Sequence, residues 1–152
     1  MGEYAVYKRV PSSKPQSAES CKIAFVFEYP TNNETIANTI LRGGTGKVFT
    51  ELCGIADIQL DDCLLTHAIQ LKPHLNSSQH FFHKRSEYKR ICKTDAWRSP
   101  YAPKKEGYLK KEFEQDITRL HKEIAEANPN IIITMGSVSL WAVTEERRYP
   151  RQ

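Results

Sequence analysis

The chain carries three short apolar runs separated by stretches in which apolar residues recur every three or four positions. The first run, 23–27 (IAFVF), is continuous rather than alternating and is rich in β-branched and aromatic residues. That is the pattern of a parallel strand covered on both faces. A second run at 63–69 (CLLTHAI) and a third inside "NIIITMG" share this character. Between the first two, Ile36, Ile40 and Leu41 follow Asn32 and Asn33, either of which can cap a helix. "GGTG" then reads as flexible backbone, and Val48, Phe49, Leu52 and Cys53 form another helical stripe closed by Gly54. Leu109, Phe113, Ile117, Leu120 and Ile124 mark the clearest helix of the chain, with Pro129 beyond its end. Ser137 is placed to cap a last helix bearing Val138, Trp141 and Ala142.

Strands alternating with helices predict an α/β fold. The expected form is a three-layer α/β/α arrangement around a short parallel sheet with right-handed crossovers. A length of 152 residues suits one domain. Residues 1–20 are polar and interrupted by Pro11 and Pro15, so they read as a flexible arm ahead of a domain at 21–152. The segment 74–108 shows neither period cleanly and reads as an insertion.

This fold class carries its own expectation about sites, because open parallel sheets bind ligands beyond the carboxyl ends of their strands. Those ends are Glu28-Tyr29-Pro30, Thr66-His67 and Met135-Gly136-Ser137, which predicts convergence on one crevice. Glu28 follows a buried run directly. It is either the working acid of that crevice or a strand-end carboxylate capping the adjacent loop. His67 is either a donor to an anion or a satisfied strand-end histidine.

Charge changes the picture locally more than globally. The excess of 22 Lys+Arg over 18 Asp+Glu gives a modest +4. Between residues 72 and 111, however, Lys72, Lys84, Arg85, Lys89, Arg90, Lys93, Arg98, Lys104, Lys105 and Lys110 interleave with Phe81, Phe82, Tyr88, Trp97 and Tyr101. Cations beside aromatic faces suit a single-stranded or distorted DNA partner; the plain alternative is a solvated insertion with a few anchoring aromatics. No run is long enough to span a membrane, and the N-terminus lacks the apolar core of a secretory signal. An intracellular, cytoplasmic setting is therefore expected, with four separate cysteines as buried free thiols.

No metal and no cofactor are expected. His74, His80, His83 and Cys92 match no common zinc module. "GGTGKV" fails the phosphate-loop pattern at Leu41, where a glycine is required, and at Val48 after Lys47. Contact of the backbone around Gly43, Gly44, Gly46 and Lys47 with DNA phosphate is the better reading.

The three strand ends also resemble the uracil-DNA glycosylase superfamily, nearest its family 4 pattern, over about residues 20–143. In "FEYPTNNETIANTILRGGTG" the positions Glu28, Pro30, Glu34, Gly43 and Gly46 fall in register with that family's GEAPG and PFVG blocks. Thr66, His67, Lys72 and Pro73 follow its second-strand TN and basic-Pro segment, and "NPNIIITMGSVSLWAV" follows its third strand. The resemblance implies recognition or excision of a flipped base, with Glu28 orienting water, and His67, Tyr29, Pro30 and Leu41 around the base. It implies DNA contacts from the glycine turn, Lys72 and Ser137, with Lys84 and Arg85 of the basic insertion adding to them.

Three departures bear on that activity. Leu41 stands where the family has a stacking Phe, His67 replaces the base-reading Asn, and Tyr29 takes the place of Ala. An imidazole cannot present an amide's paired donor and acceptor. The late His motif and fourth strand have no counterpart before Gln152, so the expectation is a fragment or a truncated relative. Leu71 and Asp116 occupy two cluster-cysteine positions, so no iron–sulfur cluster is implied. The end of the chain is similar to glycosylase-like segments associated with bacteriophage DNA polymerases, which implies a phage replication or repair setting with a polymerase as partner. The competing expectation is a non-catalytic module that binds DNA or such a partner.

Overall fold

The computed structural model describes residues 8–16 and 21–145. Strands β1 (Ile23–Phe27), β2 (Leu64–His67) and β5 (Ile131–Met135) form a parallel sheet in the order β2-β1-β5. Phe27 is level with His67 on one side and Met135 on the other, so all three strands end together. Pairing runs one step further, since Ala68 N–H donates to the Phe27 carbonyl (2.7 Å) and Ile69 N–H to that of Glu28 (3.1 Å).

Side chains alternate across β1, and each face has its own core. Phe25 and Leu65 pack against helix α2 (Gly44–Ile55) through Phe49 and Cys53, with Phe49 meeting Phe25 edge-on at 5.0 Å. On the other face Val26 packs under helices α4 (Glu114–Ala127) and α5 (Ser137–Thr144), with Ile117, Leu120, Val138 and Trp141. The helices thus flank a small parallel sheet in a mixed α/β fold.

Several boundaries differ from the sequence reading. Helix α1 (Asn32–Ala37) is capped by Thr31 rather than either asparagine, in a capping box with Glu34. It stops at Asn38 in the left-handed conformation, so Ile36 is exposed while Ile40 reaches the core. Helix α2 already begins at Gly44, so part of the "flexible" glycine run is helical, and Gly54 lies inside it. Only Phe49 and Cys53 of its stripe turn inward; Val48 and Leu52 are exposed. Ser137 does not cap α5: the capping position is Gly136, and Ser137 is the first helical residue.

The third strand, expected to be buried, is an exposed edge, with Ile131 at 56%. Its single strand neighbour among the described residues is β1, and a three-stranded sheet offers little else to cover it. The arm reading also meets a correction over residues 8–16. Ser13 bridges Leu65 on the outer edge of β2, Val10 is fully buried, and Arg9 grips the buried carboxylate of Asp116 at 3.1 Å. Paired backbone and one buried valine dock this stretch despite its polar composition. The rest of 1–20 lies outside the described residues.

The insertion folds as two short 3-10 turns, the hairpin of β3 (Phe82–His83) with β4 (Tyr108–Leu109), and helix α3 (Arg85–Thr94). Phe81, Phe82 and Leu109 pin it to the main core.

Candidate functional site

The level ends of β1, β2 and β5 set residues 28, 68 and 136 side by side. At this rim the half-buried Glu28 turns toward α5. Its Oε2 accepts the Val138 N–H at 2.9 Å, and its carboxylate lies where a side chain on Gly136 would sit. Gly136 holds φ 106°, a conformation that favours glycine. The carboxylate therefore caps the first turn of α5 from a separate strand and lies at the positive end of that helix.

His67 faces the opposite side of the sheet. It shares a face with Phe27, whose ring centroid is 6.1 Å away, and its Nε2 lies 3.4 Å from Glu34 Oε2. Both partners are buried, and His67 Nδ1 has no hydrogen-bond partner among the described residues. Burial by itself raises the Glu34 carboxyl, but the His67 ring and the Thr31 and Leu41 amides outweigh it and hold Glu34 below its ordinary range. Leu41 N–H donates to Glu34 Oε2 at 2.7 Å, from a residue at φ 59°. Gly46 packs so closely on the Leu41 backbone that a Cβ there would overlap it.

The sequence-predicted residues thus fall into separate groups. Glu28, Gly136 and Ser137 come together at the α5 terminus; His67 and Leu41 come together around Glu34. Tyr29 rests on Phe81 at 5.8 Å and donates to the Asn76 carbonyl at 3.1 Å, and Pro30 is buried. Burial, then the Glu28 charge, raises the Tyr29 phenol. Gly43 (φ 88°) closes on Asn33, while Gly44 and Lys47 are exposed at the start of α2. Lys72 is half-buried, and Lys84 and Arg85 are exposed at the start of α3.

One role of Glu34 and the whole of Arg119 escaped the sequence reading. Glu34 was legible through the T-N-N-E capping box, though its second role beside His67 was not. Arg119 on α4 fastens the end of β2: Nη2 donates to the carbonyls of His67 (2.6 Å) and Ala68 (3.0 Å), and Nη1 to Thr66 Oγ1 (2.7 Å). Burial pushes its guanidinium down, and the Glu123 and Asp116 charges oppose that. A charged residue on a helix whose apolar stripe points elsewhere gives no sequence signal of such a post.

The insertion separates its two residue types. Tyr88 stacks on Tyr108 at 3.9 Å and meets Trp97 edge-on at 5.8 Å, while Tyr101 packs on Trp141. These half-buried rings pack on one another and on Trp141. The cations face outward: Lys84, Arg85, Lys89 and Lys93 are exposed and make no ion pair among the described residues. Arg98 differs, since its guanidinium is tied to the carbonyls of Cys92, Asp95 and Trp97.

Among the described residues no group of three or more His, Cys, Asp or Glu side chains is arranged to hold a metal ion, and His83 is engaged with Glu87 at 2.8 Å. No helix among them is long and apolar enough to cross a membrane. No protein-family model matches the chain, and no curated protein matches it.

Proposed function

We propose that the chain is a DNA-binding module built on a uracil-DNA glycosylase-like α/β fold, holding DNA through phosphate contacts of its basic insertion rather than by excising a base. One observation carries this reading: the row of exposed, unpaired cations on and beside α3. Arg85, Lys89 and Lys93 recur every four residues, so they share one side of the helix with about 6 Å of rise between them. Such a row attracts a polyanion and leaves sequence unread.

The glycosylase-like order of the three strand ends supports the ancestry, and the occupied side chains support the loss of chemistry. Glu28 is engaged as a helix cap, Phe81 and Phe82 are buried, and the half-buried Tyr88, Trp97 and Tyr101 pack on other rings. Base excision keeps one point in its favour, the buried Glu34–His67 pair, whose histidine Nδ1 has no hydrogen-bond partner among the described residues. A replication protein such as a DNA polymerase is the partner that the phage-type resemblance favours.

The test is fluorescence anisotropy with single-stranded and duplex oligonucleotides over a range of salt. Affinity that falls with salt supports the module, and absence of binding at low salt rejects it.

A further inference from the structure

A separate feature of the insertion is an open cleft of about 520 Å³, which lies between its two 3-10 turns, the start of α3 and the β3–β4 hairpin. Lys84, Lys105 and Lys110 line it, and none of the three makes an ion pair among the described residues. Two carboxylates line it as well, but each is engaged: Glu87 with His83 Nδ1 at 2.8 Å, and Glu106 with the buried Lys104 ammonium. With Lys104 included, four ammonium groups face two carboxylates, which leaves a local excess of two positive charges. Lys84 is also the capping residue of α3, where no side chain caps the first-turn amides, so the positive end of the helix borders the same space.

The remaining wall is mixed, with His74, Leu75, Ser77, Gln79, His80 and Phe82. The His80 ring meets Phe81 and Phe113 edge-on at 5.8 and 5.9 Å, which fixes its direction. Burial, followed by the nearby Lys110 charge, lowers the His80 imidazole, so at neutral pH it adds a hydrogen-bonding nitrogen without adding charge.

We infer that this cleft is a phosphate-binding site, taking a phosphate mono- or diester on Lys84, Lys105 and Lys110 with His80 beside it. A phosphate sets its oxygens tetrahedrally, a monoester with up to two charges and three acceptor oxygens and a diester with one charge and two. That suits three lysines lining one cleft better than a planar carboxylate does. The volume is that of a site for a nucleotide-sized group. The inference rests on the DNA reading only for the source of the phosphate; the cleft and its charge stand without it.

The test is an amide-resolved NMR titration with inorganic phosphate, a deoxynucleoside 5′-monophosphate and the unphosphorylated nucleoside. The wild type is compared with the pair Lys84→Ala/Lys105→Ala and with the control pair Lys22→Ala/Lys122→Ala, all at exposed positions. The inference predicts that phosphate and nucleotide move the amides of 84–87 and 105–110 while the nucleoside does not. The cleft pair should lose about tenfold in nucleotide affinity or more, and the control pair no more than about threefold.

Two further outcomes separate this inference from the proposed function. If phosphate binds there but oligonucleotides do not, the cleft stands and the DNA reading falls. If oligonucleotides bind equally to both variant pairs, or nucleotide leaves those amides unmoved, the cleft inference is overturned and the DNA reading survives. Comparison of 5′-phosphorylated with unphosphorylated oligonucleotides identifies the source: preference for the former indicates a terminal monoester, and equal binding competed by inorganic phosphate indicates an internal diester.

Discussion

The Glu28 carboxylate and the Val138 amide, 110 residues apart in sequence, meet at 2.9 Å across the carboxyl edge of the sheet. This bond ties the end of β1 to the first turn of α5. It gives Glu28 a structural role at the position where an active-site acid was expected.

Glu28→Ala is therefore expected to lower stability by about 0.5–2 kcal/mol, the range for a lost helix cap. Glu28→Gln keeps an acceptor and should cost less, about 0.3–1 kcal/mol from the lost charge at the helix terminus. Gly136→Ala should exceed both, because it strains a φ of 106° and drives a methyl into the Glu28 carboxylate. Urea unfolding of the three variants gives the order; equal stability of Glu28→Ala and wild type would remove the cap.

The Glu34–His67 pair sets an acid dependence. Glu34 is held below its ordinary value of 4.5 in the fold, so its contribution is fully present above that pH. That contribution disappears as pH falls from 4.5 through the lowered folded value. Glu34→Gln should therefore flatten the fall of unfolding free energy with acid below pH 4.5, while lowering stability at neutral pH. Unfolding free energies from pH 3 to 7 decide it: an unchanged acid slope in the variant would show that Glu34 is not held down.

Arg119 predicts a different signature. Its planar fork serves two carbonyls and a hydroxyl at once, which a lysine ammonium cannot reproduce. Arg119→Lys should cost about 2 kcal/mol, with faster amide exchange along 66–69. Exchange rates there matching wild type would show that α4 does not anchor the end of β2.

The elements most legible in the sequence are those with one dominant signal. The apolar runs at β1 and β2 and the 3.6-residue stripe of Ile117, Leu120 and Ile124 mark their elements, because burial dictates those residues whatever the details of packing. The register that sets Phe27 between His67 and Met135 is a detail that parallel topology alone does not fix. Helix boundaries were less legible, since Thr31 competes with two neighbouring asparagines and Gly44 enters α2 against its own propensity. The direction in which each rim residue points was not legible at all. Alternation across β1 sends Glu28 to α5 while His67, level with Phe27, meets Glu34. A continuous apolar run hides that alternation. The packing of the insertion's aromatics was not legible for a similar reason, because composition does not show that Tyr88 stacks on Tyr108.

The cationic row of α3 makes a quantitative prediction. Neutralising Lys89 and Lys93 together should reduce the slope of log affinity against log salt by about 0.7 for each phosphate that a lysine no longer neutralises on single strands. Affinity should fall similarly for oligonucleotides of unrelated sequence. A sequence-dependent drop in affinity at unchanged slope would point to base reading instead.

The most direct test measures binding and base release together on a uracil-containing single-stranded oligonucleotide, with wild type and Glu28→Gln side by side. A DNA-binding module without excision gives salt-sensitive binding by both proteins and no abasic sites above the protein-free blank. Abasic sites formed by the wild type and lost in Glu28→Gln would contradict it.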